Sequence, residues 1–175
     1  VSGILLSAGE ARGESAVRTT VRSFLDGLVA TWRASRPVAG FQYNNQVLED
    51  VPVASDSALK QTIDNLLDNA LEASPEWVGL DVRKEDGVLH VVVTDRGPGF
   101  PAAMLGQIGK PYQSTKADPG HGLGLFLAVN VARKLGGAVT AANRPEGGAQ
   151  VSLSLPLSSI AIEEERKEAS IDRKP

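Results

Sequence analysis

The chain has 175 residues, 18 Lys plus Arg against 21 Asp plus Glu for a net charge of −3, and no cysteine. One domain of this length folds without disulfide or metal staples, and the missing cysteines exclude a thiol nucleophile, a thiolate zinc site and an iron–sulfur cluster. The mild acidity points away from a nucleic-acid partner, and no apolar run reaches the ~18 residues of a membrane span. Glycine is the unusual component: of 18 residues, 12 lie between Gly87 and Gly148. Glycine gathered in one stretch marks backbone that approaches something closely, and phosphate is the first candidate.

In chain order, Val1–Ala8 holds a short apolar cluster (Ile4, Leu5, Leu6) that cannot form an independent helix. It reads as the end of an element begun upstream, so the chain reads as a piece of a larger protein. Val17, Val21, Phe24, Leu25, Leu28, Val29 and Trp32 recur every three or four residues. That spacing predicts an amphipathic helix of about four turns, closed by Pro37. Val38, Gly40–Tyr43 and Val51–Ala54 read as two short extended segments around a polar turn at Asn44–Asn45. Ser55 and Asp56 then cap a second helix, Ser57–Ser74, whose stripe is Leu59, Ile63, Leu66, Leu67, Ala70 and Leu71. Trp77–Lys84 and Val88–Asp95 alternate with period two around Glu85-Asp86-Gly87, which is a hairpin signature.

Arg96–His121 has little periodicity, and so long a loop belongs in a compact domain only if it is functional. Gly122–Leu135 resumes helical spacing and ends at Gly136–Gly137. Ala138–Asn143 and Gln150–Leu155 form a last strand pair across Gly147–Gly148, and a solvated tail of mixed charge follows from Ala161. Hairpin strands with three main helices predict an α+β two-layer sandwich, helices on one face of a mixed sheet.

Opposite its apolar stripe the second helix carries Asp64, Asn65, Asp68, Asn69 and Glu72. Asn65 and Asn69 are one turn apart, and two neutral oxygen donors on a rigid helix suit Mg²⁺ held against a phosphate. Alone, the pair is a weak signal, and an ordinary solvated helix face is the better reading of it. Asp95 ends a strand and precedes Arg96-Gly97-Pro98-Gly99, so its carboxylate can accept from an exocyclic amine such as that of adenine, or simply make a turn. Gly120-His121-Gly122-Leu123-Gly124 opens a helix, where backbone N–H groups suit phosphate, with Lys116 and Lys110 nearby. Neither the dinucleotide fingerprint nor a Walker A motif is present. His121 between two glycines and His90 in an alternating strand make poor bases, and Ser114 and Thr115 have no triad logic.

Taken together these motifs resemble the catalytic ATP-binding domain of sensor histidine kinases, in the superfamily shared with gyrase, Hsp90 and MutL. The resemblance covers about residues 17–157. Asn65-Leu66-Leu67-Asp68-Asn69-Ala70 is similar to the N box, Asp95-Arg96-Gly97-Pro98-Gly99 to the first glycine box, and Gly120–Leu125 to the second. Lys110-Pro111-Tyr112-Gln113-Ser114-Thr115-Lys116 stands at the phenylalanine box, with Tyr112 as its aromatic. That segment, with Ile4–Gly13, resembles most the RegB/PrrB group of redox-responsive kinases.

The resemblance implies a Bergerat-type sandwich with a mostly antiparallel sheet. Residues 1–16 would be the end of a dimerisation helix and a linker, 17–157 the catalytic domain and 158–175 a charged tail. ATP and Mg²⁺ are the implied cofactors. Asp95 would bind the adenine amine, with Gly97 and Gly99 beside it, and Asn69 with Asn65 would hold the metal. Arg96–His121 would be the ATP lid, bringing Lys110, Tyr112, Lys116 and the Gly120, His121, Gly122, Leu123 and Gly124 backbone to the nucleotide. Ala149 stands where a common pattern has threonine and is given no polar contact.

The superfamily's ATP hydrolases and serine-directed kinases begin the N box with a glutamate base, whereas this chain has Asn65, which cannot accept a proton. Transfer to a histidine is therefore favoured, with Asn65, Asp68 and Lys116 as catalytic candidates and Asp68 or Glu72 left open as a base. The acceptor histidine is expected elsewhere. Implied partners are the protein's own dimerisation and phosphoacceptor domain and a response regulator, with no nucleic acid and no direct membrane contact. The implied setting is the cytoplasmic part of a protein anchored in the bacterial inner membrane. The alternative is an ATP-binding module of the same superfamily with another role: ATP hydrolysis, serine-directed phosphorylation or a non-catalytic interaction.

Overall fold

A computed structural model of the chain describes residues 17–108 and 121–162. The order is β1 (Arg18–Thr20), α1 (Val21–Ser35), β2 (Phe41–Asn45), β3 (Pro52–Ala54), α2 (Ser57–Ala73), β4 (Val78–Glu85), β5 (Val88–Asp95), α3 (Ala102–Leu105), α4 (His121–Lys134), β6 (Ala138–Asn143) and β7 (Ala149–Pro156), with a 3-10 turn at Leu157–Ser159. Five strands form one sheet in the order β2-β4-β5-β7-β6, and β1 pairs with β3 in a second, small sheet. Among the described residues only β2 and β4 run parallel in the large sheet, with α2 in the crossover between them.

The alternation of β4, β5 and β7 decides which face is buried. Val82 stands opposite Val91, Val91 opposite Leu153, and Leu153 opposite Val139, and all four are buried. Asp86 and Gly87 both have positive φ (52° and 75°), the backbone a two-residue hairpin needs to match strand twist. Onto this face α1 packs Leu25, Leu28, Val29 and Trp32, α2 packs Leu59, Ile63, Leu66 and Leu67, and α4 packs Leu125, Ala128, Val129 and Ala132. Each Leu or Val so buried contributes roughly 1.5–3 kcal/mol. Asp56 caps α2, accepting from the N–H groups of Ala58 and Leu59.

The predicted α+β sandwich with a mixed, mostly antiparallel sheet is therefore the observed fold. Four local expectations change. The first helix begins at Val21, not Val17, because Thr20 accepts from Ser23 N–H as its cap and Arg18–Thr20 pairs with β3. Asn44–Asn45 is strand and not turn: the Asn45 amide bonds to Asp26 and to the Tyr43 hydroxyl, so its polar atoms need no loop. The long loop contains the single helical turn α3 after Pro101. Residues 158–162, assigned to the tail, pack: Ile160 is 5% exposed and Ala161 bridges to Val53. Residues 1–16 and 163–175 lie outside the described residues. No helix among the described residues is long and apolar enough to cross a membrane.

Candidate functional site

The C-terminal half of α2, the end of β5 and the start of β7 converge on a cavity of roughly 410 Å³. Asn69, Glu72 and Ala73 line it from α2, Val93 and Asp95 from β5, and Ala149 and Val151 from β7. Phe100, Met104 and Leu125 add apolar walls.

Asp95 follows Val91 and Val93 on the inward side of β5, and is 7% exposed. Its Oδ1 accepts from Gly97 N–H at 2.8 Å and from Ala149 N–H at 3.2 Å. Two backbone donors on one oxygen fix the carboxylate in one orientation. The surrounding backbone is pinned as well. A Cβ at Gly97 would lie 2.5 Å from Ala73 O, and one at Gly148 would lie 2.0 Å from Asp95 O. Gly148 also has φ of +94°, a region that only glycine enters freely. Arg144 donates to Asp95 O at 2.9 Å, and its guanidinium shares the Trp77 ring with Arg96.

Asn69 reaches the cavity with Nδ2 buried and without a partner in the described structure. Asn65, one turn earlier, is half-buried and does not line it. Asp68 is drawn off toward α1. It accepts from Trp32 Nε1 at 2.9 Å and from Arg36 Nε and Nη2 at 2.8 and 3.2 Å. Partial burial opposes its ionisation, but the bonds from Arg36 and Trp32 and the guanidinium charge outweigh it and hold the carboxyl below its ordinary range. In Asp64 burial prevails and raises the carboxyl, with Oδ1 left unpartnered.

Of the expected site residues, Asn69, Asp95 and Gly99 thus line one cavity, with Gly97 beneath Asp95. Asn65 and Asp68 fall outside it. Lys110, Tyr112, Lys116 and Gly120 lie outside the described residues. His121, Gly122, Leu123 and Gly124 form the opening turn of the α4 backbone, and Leu125 directly after them lines the cavity. His90 sits in mid-β5 opposite Arg83 and Ser154. Among the described residues no group of three His, Cys, Asp or Glu is placed to hold a metal.

Sequence reasoning missed Ala149, which acts through its N–H and so has no side-chain signal. The inward period of β7 was the only trace of it. The apolar walls were missed too, since Phe100 and Met104 sit in a segment without periodicity.

A family model described as histidine kinase-, DNA gyrase B-, and HSP90-like ATPase matches residues 54–159. The sensor histidine kinase GtrS of Pseudomonas aeruginosa is 46% identical over 101 residues, 57% of this chain. The chain spans only about a fifth of that relative, 21% of its length. Among solved structures, a mycobacterial sensor histidine kinase, MprB, aligns over 81% of this chain and 97% of its own, with TM-score 0.62 and 27% identity. Full-length ShkA in complex with AMPPNP aligns over 84% of this chain and 31% of its own, with TM-score 0.63 and 24% identity, a likeness of fold.

Proposed function

The chain belongs to the histidine kinase-, DNA gyrase B- and HSP90-like ATPase family, and from that premise we propose that it binds Mg–ATP in the α2–β5–β7 cavity and passes the γ-phosphoryl group to a histidine. That histidine sits on a separate dimerisation domain of a sensor kinase, and the phosphoryl group goes on to an aspartate of a response regulator. Asp95 carries the reading. With Oδ1 occupied by two backbone amides, its other oxygen is left to accept from the adenine amine, and the apolar walls take the ring. A charge-assisted bond in such a desolvated place contributes about 1.5–3 kcal/mol.

Magnesium suits the Asn69 amide oxygen, a hard neutral donor, while its unpartnered Nδ2 is a donor for a phosphate oxygen. Asn65, one turn away and outside the cavity lining, would complete the set from the phosphate side. When bound, the ion neutralises charge on the phosphates. The opening turn of α4 turns its positive end to the same phosphates, with Lys116, Lys110 and Tyr112 as further contacts. Asn65 cannot take a proton and Asp68 is committed to Arg36 and Trp32, which leaves Glu72 at the cavity as the carboxylate still open as a base for water or a serine hydroxyl. A neutral imidazole needs none to attack, and positioning with charge stabilisation is then sufficient.

The parent protein in this reading is a membrane-anchored sensor kinase with this chain on its cytoplasmic side. If it is redox-responsive like the RegB/PrrB group, sensing lies outside this cysteine-free chain. Calorimetric titration with Mg–AMPPNP tests the pocket. Asp95→Asn keeps an acceptor for the Gly97 and Ala149 amides but turns an amide toward the base, so affinity falls at least about tenfold with the melting midpoint retained. Unchanged affinity overturns the reading.

A further inference from the structure

Asn143 closes β6 and stands opposite Ala149 in the β6–β7 register. Its Oδ1 accepts from Phe100 N–H at 2.7 Å, and its Nδ2 donates to Phe100 O at 2.8 Å. The carboxamide thereby gives Phe100 the acceptor and donor that a neighbouring strand residue would give. Among side chains only a carboxamide offers that fork without a charge. Gly99 leaves the room: its φ is +83°, and a Cβ there would lie 2.8 Å from Asn143 Oδ1.

The segment so held is a wall of the cavity, because Pro98, Gly99, Phe100, Pro101 and Met104 all line it. Apart from Asn143, the wall is held by Phe100, Met104 and Ile108, which are only partly buried against the core. The α3 helix has four residues, no side-chain cap and no buried residue. One register pair therefore serves both sides of the cavity, with Ala149 fixing Asp95 and Asn143 fixing the facing wall.

We propose that Asn143 is a positioning residue for the nucleotide, holding Gly99–Phe100 so that the Pro98–Met104 wall closes on the adenine. This rests on the Mg–ATP reading of the cavity. The test uses the full chain with Asn143→Ala, which removes both bonds, and Asn143→Asp, which keeps the acceptor but sets a second acceptor against Phe100 O.

In both variants adenosine and Mg–AMPPNP bind more weakly by the same factor, about five- to twentyfold for two partly exposed hydrogen bonds. The melting midpoint stays near wild type, because the side chain lies outside the core. The Phe100 amide exchanges faster in Asn143→Ala while the β5–β7 amides do not. Wild-type affinity in both variants overturns the proposal, as does a loss confined to Mg–AMPPNP, which would place the effect at the phosphates. A wild-type chain that binds neither ligand refutes the nucleotide reading itself, and this proposal with it.

Discussion

Gly148 and Asp95 meet backbone to backbone, and that contact has a measurable consequence. Gly148→Ala adds a methyl 2.0 Å from Asp95 O at a φ of +94°, so the start of β7 must move and carry the Ala149 N–H away from Asp95. The expected cost is roughly 2–4 kcal/mol of stability by urea denaturation, with nucleotide affinity lost as well. Gly147→Ala is the control: its φ is +105°, but nothing lies within 4 Å of the new methyl, so only the backbone strain of about 1–2 kcal/mol remains. Equal effects of the two changes would remove the contact as the explanation. In the sequence both glycines read as a turn. That reading accounts for Gly147 but not for Gly148, whose neighbour Asp95 is 53 residues earlier in the chain.

At the scale of elements, α1 is tied to α2 by the bonds from Trp32 and Arg36 to Asp68. Asp68 ionises below its ordinary value of 3.8 in the folded chain. The tie is therefore complete above that value and is lost as pH falls through the lower, folded one. Thermal midpoints measured across acid pH are expected to fall more steeply for the wild type than for Asp68→Asn, which keeps a Trp32 acceptor but has no charge to lose. Parallel curves would deny Asp68 that role.

The same residue shows why element-level reading succeeded only in part. Helix spacing put Asp68 and Asn69 on one polar face, yet they point ~100° apart around the axis, and α1 claims one while the cavity claims the other. The bounds of α2, β5 and β6 were legible because periods of 3.6 and 2 run through them. Strands β1 and β3 have three residues each and α3 has four, too few to display any period. The partner of β2 lies beyond a whole helix, so nothing local announces it.

For the molecule as a whole, Asn69, Asp95 and Gly99, which line one cavity, were legible together only through the combined motifs, since each alone reads as a solvated face or a turn. The hydrocarbon walls were not, since their side chains resemble any core. Of the two histidines, His90 lies in a strand of the large sheet and His121 in the opening turn of α4, so neither stands on a helix of a separate domain that can be presented in line with the phosphate. Incubation of this chain alone with γ-labelled ATP is expected to leave it unlabelled, and addition of a cognate phosphoacceptor domain is expected to label that domain. Label on the isolated chain would contradict this division of labour.

The small sheet also bears on how the domain withstands force. Strand β3 is flanked by β1 on one side and by residues 160–162 on the other, through Ala54 N–H to Ile160 O and Ile162 N–H to Pro52 O. Arg18 stands opposite Ala54, whereas Ile162 bonds to Pro52, so the chain enters at one end of β3 and leaves at the other. Tension applied between Val17 and Ile162 pulls along the strands, across hydrogen bonds that lie perpendicular to it. The bonds are loaded together in shear and not peeled one at a time, so a pull between Val17 and Ile162 is borne by this clasp before it reaches the cavity.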